Sequence, residues 1–492
     1  MRIVDRIGQL NVPHDDIVVF RTATKRFAMN ARNASWAELT PRQDALLSAL
    51  ASGEGVAEDD ERWESRKELD RDLAYLVLNF FVYLPDWQPK DIHTTFRLNT
   101  VYYAITDGCN LRCPYCYDAS ERKLPGELST EESMLLMEQI AEAGAKVVVF
   151  TGGEPMMRRD LFPIARRARE LGLRVNMITN GTYIRNIEIA RTVAEIFGQV
   201  AVSVDGGVAE RHEMTRGKGH FAKVIRALTL LNEAGVEPVI NHVIHNKNVD
   251  YMHEVAELGE RFRIKHVRAQ YHSNLGRGQW DALGWDWTDY QKNHEFMWSH
   301  PLAHHLMDDS VLAVKSGAIR SNCGMGGNEI FVSSLGDLFP CKLIRGKAEL
   351  TGNVRRNRVA ELFAGPVMTE LRESTVFDGS LHTDCKRCYV RAACGGGCRA
   401  FHMAQSGDIR KNSRQLCRML RHSQVSTVWR ALGADKTVID DPGAFVPIRP
   451  ADGSVHPVYE DWRTDAQPRI KLPELAESIP ARRLLPIVGV GA

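Results

Sequence analysis

The sequence has no hydrophobic run long enough to cross a bilayer. Its longest apolar stretch, LAYLVLNFFVYL at residues 73–84, is far short of the ~20 residues a spanning helix needs. The N-terminus, MRIVDRIGQL, carries charge but no apolar core run, so it does not read as a secretory signal. Neither sign of charge is in excess. The 63 Lys and Arg stand against 62 Asp and Glu, which gives no field for drawing in nucleic acid or an anionic membrane. No basic, aromatic-interleaved stretch is present, which argues against work on RNA. There is no internal repeat and no low-complexity block. The expectation is a cytoplasmic protein, in a compartment where thiols stay reduced and disulfides are rare. At 492 residues the chain is too long for one ordinary domain.

Cysteine is missing from residues 1–95, and no catalytic cluster replaces it. IVVF (17–20) and RFAMN (26–30) read as short strands. LTPRQDALLSALASG reads as a helix. Thr40 is a good N-cap, Pro41 suits the first turn, Gln43 completes a capping box and Gly53 stops it. A second helix is expected to carry the apolar run at 73–84. Strands followed by helices make a small α+β module.

From about residue 100 strands alternate with helices. The strands are VYYAIT (101–106), KVVVFT (146–151), RVNMIT (174–179), VAVSVD (200–205), VEPVINHVI (236–244) and HVRAQY (266–271). One helix, STEESMLLMEQIAEAGA, opens on a Ser129/Glu132 capping box. Apolar strands alternating with helices imply a parallel sheet covered by helices, with the site at the C-terminal strand ends. Beyond about residue 430 prolines are frequent, and an irregular tail laid over the surface or the neighbouring domains is expected.

All ten cysteines serve some use other than disulfides. The first three sit in DGCNLRCPYC, residues 107–116, as Cys109, Cys113 and Cys116. This is CxxxCxxC placed just after the first strand of the alternating region. No nearby fourth Cys or His completes a zinc site. The other reading is a [4Fe–4S] cluster with three ligated irons and one open iron, where a small molecule can bind.

In this arrangement the chain resembles the radical S-adenosylmethionine (SAM) enzymes, whose signature is CxxxCxxC after the first strand of a partial (βα)6 barrel. The resemblance implies that SAM chelates the open iron through its amino and carboxylate groups. One electron from the reduced cluster then breaks the C5′–S bond, and a 5′-deoxyadenosyl radical takes a hydrogen from the substrate. It also implies roles for the other strand ends. Gly152 and Gly153 in TGGEP (151–155) would let backbone approach the methionine moiety, and Glu154 would accept from its ammonium. ITNG places Thr179 and Asn180 at the same rim, and SVDG places Ser203 and Asp205 there. Arg216 in TRGKGHF would pair with the SAM carboxylate. Tyr115 takes the aromatic position by the adenine.

Seven cysteines remain: Cys323, Cys341, Cys385, Cys388, Cys394, Cys398 and Cys417. In order they read C, a gap, Gx4C, a gap, Cx2Cx5Cx3C, a gap, C. DCKRCYVRAACGGGC alone would suit a zinc ribbon. The full order resembles the SPASM extension of radical SAM enzymes, which binds two auxiliary [4Fe–4S] clusters. That resemblance assigns Cys385, Cys388, Cys394 and Cys417 to the outer cluster and Cys323, Cys341 and Cys398 to the inner one. For the inner cluster, either Asn328 or Glu329 supplies the fourth ligand or one iron stays open to a substrate donor.

The expected architecture is α/β. A partial (βα)6 TIM-like barrel at 96–310 follows an N-terminal α+β winged-helix-like module at 1–95. A SPASM extension at 311–425 and a proline-rich tail at 426–492 come after it. The N-terminal module resembles the PqqD-like element of peptide-modifying radical SAM enzymes, which binds a leader peptide by strand addition. A plain structural extension is the other reading. The resemblance implies a precursor peptide or small protein subunit as substrate, SAM, three [4Fe–4S] clusters (one SAM-binding, two auxiliary), and an electron donor such as flavodoxin or ferredoxin. An oxidative thioether or carbon–carbon crosslink is expected over epimerisation, because auxiliary clusters remove a second electron.

Asp205, Asp337 and Lys342 are the candidate catalytic groups. Anaerobic sulfatase maturases resemble the chain around GDLFPC, but carry Asp where Lys342 stands, which argues against that activity. A small-molecule dehydrogenase or carbohydrate-modifying enzyme is the alternative. His300, His304 and His305 in HPLAHH are expected on a solvated helix face.

Overall fold

A computed structural model describes residues 3–53, 56, 60–86, 96–279, 283–307, 319–435 and 444–447. The N-terminal module opens with three antiparallel strands, β1 (Ile17–Arg21), β2 (Arg26–Asn30) and β3 (Trp36–Glu38). Helices α1 (Pro41–Ser52) and α2 (Arg66–Leu78) follow. The Thr40/Gln43 capping box forms in both directions, and Gly53 ends α1 at φ 73°, a conformation that costs glycine no steric penalty.

Strand alternation sorts the module's apolar residues onto two faces. Ile17, Val19, Ala28 and Ala37 pack on Leu46, Leu47, Leu69, Leu73 and Leu76 of the two helices. Val18, Phe20, Phe27 and Met29 pack on Cys388, Tyr389, Val390, Val425, Val428 and Trp429. The sheet is therefore buried on both sides. The second helix stops at Leu78, earlier than the apolar run suggests. Asn79 closes it, Phe80 takes a left-handed φ of 62°, and Tyr83 turns back to bridge Asn11.

The barrel strands are β4 (Thr100–Thr106), β5 (Val147–Gly152), β6 (Arg174–Thr179), β7 (Gln199–Ser203), β8 (Val239–Ile244) and β9 (His266–Tyr271), all parallel. Between them lie α3 (Thr130–Glu142), α4 (Leu161–Glu170), α5 (Ile187–Ile196), α6 (Ala209–Arg216), α7 (Phe221–Glu233) and α8 (Met252–Arg261). Helix α9 (Trp287–Ser299) follows β9. Short strands β10 (Leu306–Met307), β11 (Glu329–Val332), β12 (Asp337–Phe339) and β13 (Gly352–Asn353) extend the sheet at both ends. Its order is β10-β9-β8-β7-β6-β5-β4-β11-β12-β13. Strand β9 is not paired with β4, so the barrel is partial.

Val101, Tyr103, Phe150, Met177, Val202, Ile240 and Val267 join the helices in the main core. Their neighbours of opposite parity therefore line the concave face. The chain's two cluster-like segments are thus fused by one sheet, since β11 pairs in parallel with β4.

The expected tail is not irregular throughout. A helix runs Arg414–Ala431, and β14 (Ala444–Pro447) pairs antiparallel with β1. The later prolines, such as Pro450 and Pro457, lie outside the described residues. HPLAHH forms a 3-10 turn, Pro301–His305, rather than an α-helix face, and His305 Nε2 lies 2.8 Å from Glu260 Oε1.

Candidate functional site

The loop after β4 carries Cys109, Cys113 and Cys116 at the C-terminal rim of the barrel. Leu111 N donates to Cys109 Sγ at 3.4 Å, and Cys116 N donates to Cys113 O at 3.2 Å. Burial pushes the Cys109 thiol up to about 11, and Glu154 and the other two cysteines add to this. Three thiols gathered on one short loop suit a cation that holds them as thiolates.

The GGE segment is stitched to this loop. Gly153 N donates to Thr106 O and Glu154 N to Gly108 O, both at 2.8 Å. A Cβ on Gly152 would overlap Thr106 O, and one on Gly153 would overlap Gly108 O. The cysteine loop itself thus requires both glycines, a constraint separate from the expected approach to methionine. Glu154 is fully buried. It accepts from the Thr179 hydroxyl at 2.7 Å, Asn180 N at 2.7 Å and Met156 N at 3.1 Å. Burial lifts its carboxyl to about 6 against these hydrogen bonds. Asn180 Nδ2 donates to Asn110 Oδ1 at 2.9 Å, tying the end of β6 to the cysteine loop. Ser203 is buried at the end of β7.

Two of the expected rim residues, Asp205 and Arg216, meet each other. Arg216 is buried beside the cysteine loop. Its Nε donates to Asp205 Oδ2 at 2.7 Å, and its Nη1 lies 3.8 Å from Cys113 Sγ. Asp205 also accepts from the Thr215 hydroxyl at 2.7 Å and from the Tyr115 hydroxyl. Burial alone would raise the Asp205 carboxyl, but Arg216 outweighs it and holds the group well below the usual carboxylate range. So satisfied a carboxylate is a poor base. It fixes Arg216 and Tyr115 instead.

Sequence reasoning missed the clamp from the loop after β9. Arg277 Nε donates to Cys113 O at 3.1 Å, and its Nη1 and Nη2 reach Ser120 O at 3.0 and 3.1 Å. Gly276 has φ 56°, and a Cβ there would overlap Tyr117 O. The closely spaced glycines of NLGRG were the available signal.

Across the chamber, Lys342 Nζ sits 4.2 Å over the Tyr102 ring. Burial works to lower it, but Tyr102, Tyr117 and Glu329 outweigh that and keep it charged. Arg345 pairs with Asp118 and lies 4.1 Å over Phe331. Burial raises the Cys341 thiol, and Glu329 and Cys398 raise it further. The surrounding protein also raises the Cys398 thiol, with Cys323 and Glu329 adding to it. The inner trio and Glu329 therefore form one group, and Asn328 is its chain neighbour. Asp337 is held apart, accepting from Asn353 Nδ2 at 2.8 Å in β12. As a candidate base it stands outside this group.

Cys385, Cys388, Cys394 and Cys417 line one cavity with an empty volume of about 340 Å³, part of it open to solvent. Arg391, Asn412 and Arg421 line it too. Burial lifts Cys394 and Cys417 each to about 12. Four thiols around one space, with a cation at its wall, fit an anionic iron–sulfur cluster.

Residues 103–259 match the Radical SAM superfamily, and residues 323–389 match SPASM, an iron–sulfur cluster-binding domain. The chain is 28% identical over 333 residues to the AdoMet-dependent heme synthase of Methanosarcina barkeri, covering 63% of this chain and 93% of that one. It is 29% identical over 317 residues to mycofactocin maturase MftC of Mycolicibacterium smegmatis, covering 61% and 77%. The solved structure of Streptococcus suis SuiB bound to precursor peptide SuiA superposes with TM-score 0.55 at 13% identity, covering 83% of this chain and 99% of that one. The partial barrel with its thiol-lined rim is that of an enzyme. It carries a radical SAM domain, which binds a [4Fe–4S] cluster and SAM, followed by a SPASM domain, which binds auxiliary iron–sulfur clusters. Among the described residues no helix is long and apolar enough to cross a membrane.

Proposed function

We propose that the protein modifies a ribosomal peptide or small protein subunit, recognised by strand addition at β3. One observation carries this reading. In the ladder with β2, Asn30 N donates to Ser35 O at 2.8 Å and Leu39 N to Arg26 O at 3.0 Å. Trp36 and Glu38 therefore turn their backbone groups outward. Strand β3 is the end of the sheet order β14-β1-β2-β3. Beside it, the Tyr75 hydroxyl donates to Glu38 O at 2.7 Å, and Leu78 is 76% exposed at the end of α2. Among the described residues no strand pairs with this edge, although Tyr75 occupies one of its carbonyls; an edge flanked by an exposed apolar residue suits an extended peptide.

In this reading Cys109, Cys113 and Cys116 hold the SAM-binding cluster. Glu154, Thr179, Asn180 and Ser203 form the SAM wall, and the Asp205–Arg216 pair fixes Tyr115. Cys385, Cys388, Cys394 and Cys417 hold an outer auxiliary cluster, and Cys323, Cys341 and Cys398 an inner one. SAM and its cluster supply hydrogen-atom abstraction when bound. Two further thiol sets give a route for a second electron, which favours an oxidative thioether or carbon–carbon crosslink. The positive Lys342 and Arg345 hold the chamber wall between the barrel and the inner trio. Flavodoxin or ferredoxin is the electron donor this chemistry calls for.

The test is an anaerobic pull-down from the source cell with the whole holoenzyme and with its Leu78→Glu variant. Captured peptide is then weighed before and after turnover with SAM. The reading expects one polypeptide that the wild type captures, that the variant captures poorly, and whose mass changes on turnover. Turnover on a small molecule with no polypeptide captured would overturn it.

A further inference from the structure

Strand β9 turns Arg268, Gln270 and then His272 toward the concave face, because Val267 lies in the outer core and Ala269 and Tyr271 pack against it. Arg268 is half-buried. Its register neighbour on β8 is Asn241, whose neighbour on β7 is Ser203. The three make one polar row across the chamber wall, running from the strand ends assigned to SAM toward the far side of the barrel.

Among the described residues Arg268 meets no carboxylate and no hydrogen-bond acceptor, whereas Lys342 at least lies over the Tyr102 ring and two other chamber cations are paired. Arg216 is paired with Asp205 and Arg345 with Asp118. An arginine does not lose its charge at any working pH, and a partly buried charge without a partner is costly. Its surroundings are unsatisfied as well. Asn241 Oδ1 is buried without a partner. The row therefore has a fixed cation, one free acceptor for an N–H, and no anion of its own.

We propose that Arg268 is the specificity residue that receives a carboxylate of the substrate, an acidic side chain or the C-terminal carboxylate of the modified peptide, while Asn241 Oδ1 accepts an adjacent N–H. The peptide half of this statement rests on the proposed function. The carboxylate half does not, since a small substrate bearing propionate groups would present the same chemistry.

The test uses reconstituted holoenzyme with SAM, under anaerobic equilibrium dialysis. The probes are a pool of synthetic peptides, the same pool with every carboxyl methyl-esterified, coproporphyrin III, and its tetramethyl ester. Wild type, Arg268→Met and Arg268→Lys are compared, and iron content confirms that each variant is folded and loaded. Wild type is expected to retain the free-acid peptides over their esters by about tenfold or more, the scale of a lost charge-assisted hydrogen bond. Arg268→Met should abolish that preference and Arg268→Lys should keep part of it. A preference for the free acid of coproporphyrin alone, again lost in Arg268→Met, would keep the carboxylate assignment and overturn the peptide reading. Equal retention of acids and esters by wild type, or an undiminished preference in Arg268→Met, would overturn the carboxylate assignment even where peptides bind.

Discussion

The Phe27 ring stands edge-on to the Trp429 indole, with 4.6 Å between centroids and 79° between planes. This contact joins the N-terminal sheet to the Arg414–Ala431 helix, and both residues are fully buried. Removing the indole should cost about 3–5 kcal/mol, as for other buried large-to-small changes. Trp429→Ala should therefore lower the denaturation midpoint. It should also open the 1–86 segment to limited proteolysis before the barrel. An unchanged cleavage pattern would show that the module is held elsewhere.

Asp205→Asn leaves Arg216 buried beside Cys113 with no counter-charge. Breaking a buried pair by removing one partner costs about 3–5 kcal/mol. The variant should unfold at lower denaturant, and its SAM affinity should fall because Tyr115 and Arg216 lose the charged acceptor that fixes them. Wild-type stability in Asp205→Asn would mean the ion pair contributes little.

His212 and His220 stack with centroids 5.0 Å apart, and His212 Nε2 lies 2.7 Å from His220 Nδ1. Burial lowers them to about 3 and about 4, against about 6.5 unfolded. Between those values the unfolded chain binds more protons, so stability rises with pH and falls on acidification. Going from pH 7 to pH 5 should cost about 2 kcal/mol per such histidine. Denaturant midpoints measured across that range should slope downward toward acid, and His220→Gln should flatten the slope. A flat wild-type profile would contradict the burial argument.

Much of the fold is legible in the sequence. RVNMIT and HVRAQY match β6 and β9 to the residue, because apolar alternation and short flanking turns are local signals. The cysteine spacings likewise marked the groups that the fold brings together. Long-range features left no such trace. The Arg277 clamp on Cys113 joins residues 164 positions apart. The Asp205–Arg216 pair was read as two separate rim residues, since nothing in either motif says that they face each other. The early end of α2 turns on one left-handed residue, Phe80, inside a run whose composition favours continued helix.

Gly276→Ala should displace the cysteine loop, since its φ is 56° and the new methyl would meet Tyr117 O and Cys116 O. The expected result is loss of iron from the SAM-binding site, with auxiliary cluster absorbance retained. Cys113→Ala is the companion variant and should abolish 5′-deoxyadenosine formation. If Gly276→Ala keeps full iron and full SAM cleavage, the clamp is not needed to shape the loop.

The N-terminal sheet has helices on one face, the Cys388–Trp429 region on the other, and β14 along one rim. Among the described residues the β3 rim is one end of the sheet order, and a guest chain joining there must join as a strand. Its side chains would then alternate between two unlike floors, one under α1 and α2 and one beside the outer cysteine cavity. A slip of a single residue would exchange the two sets. Any recognition signal read here is thus written in a two-letter frame, tolerant of what each letter is and strict about its parity.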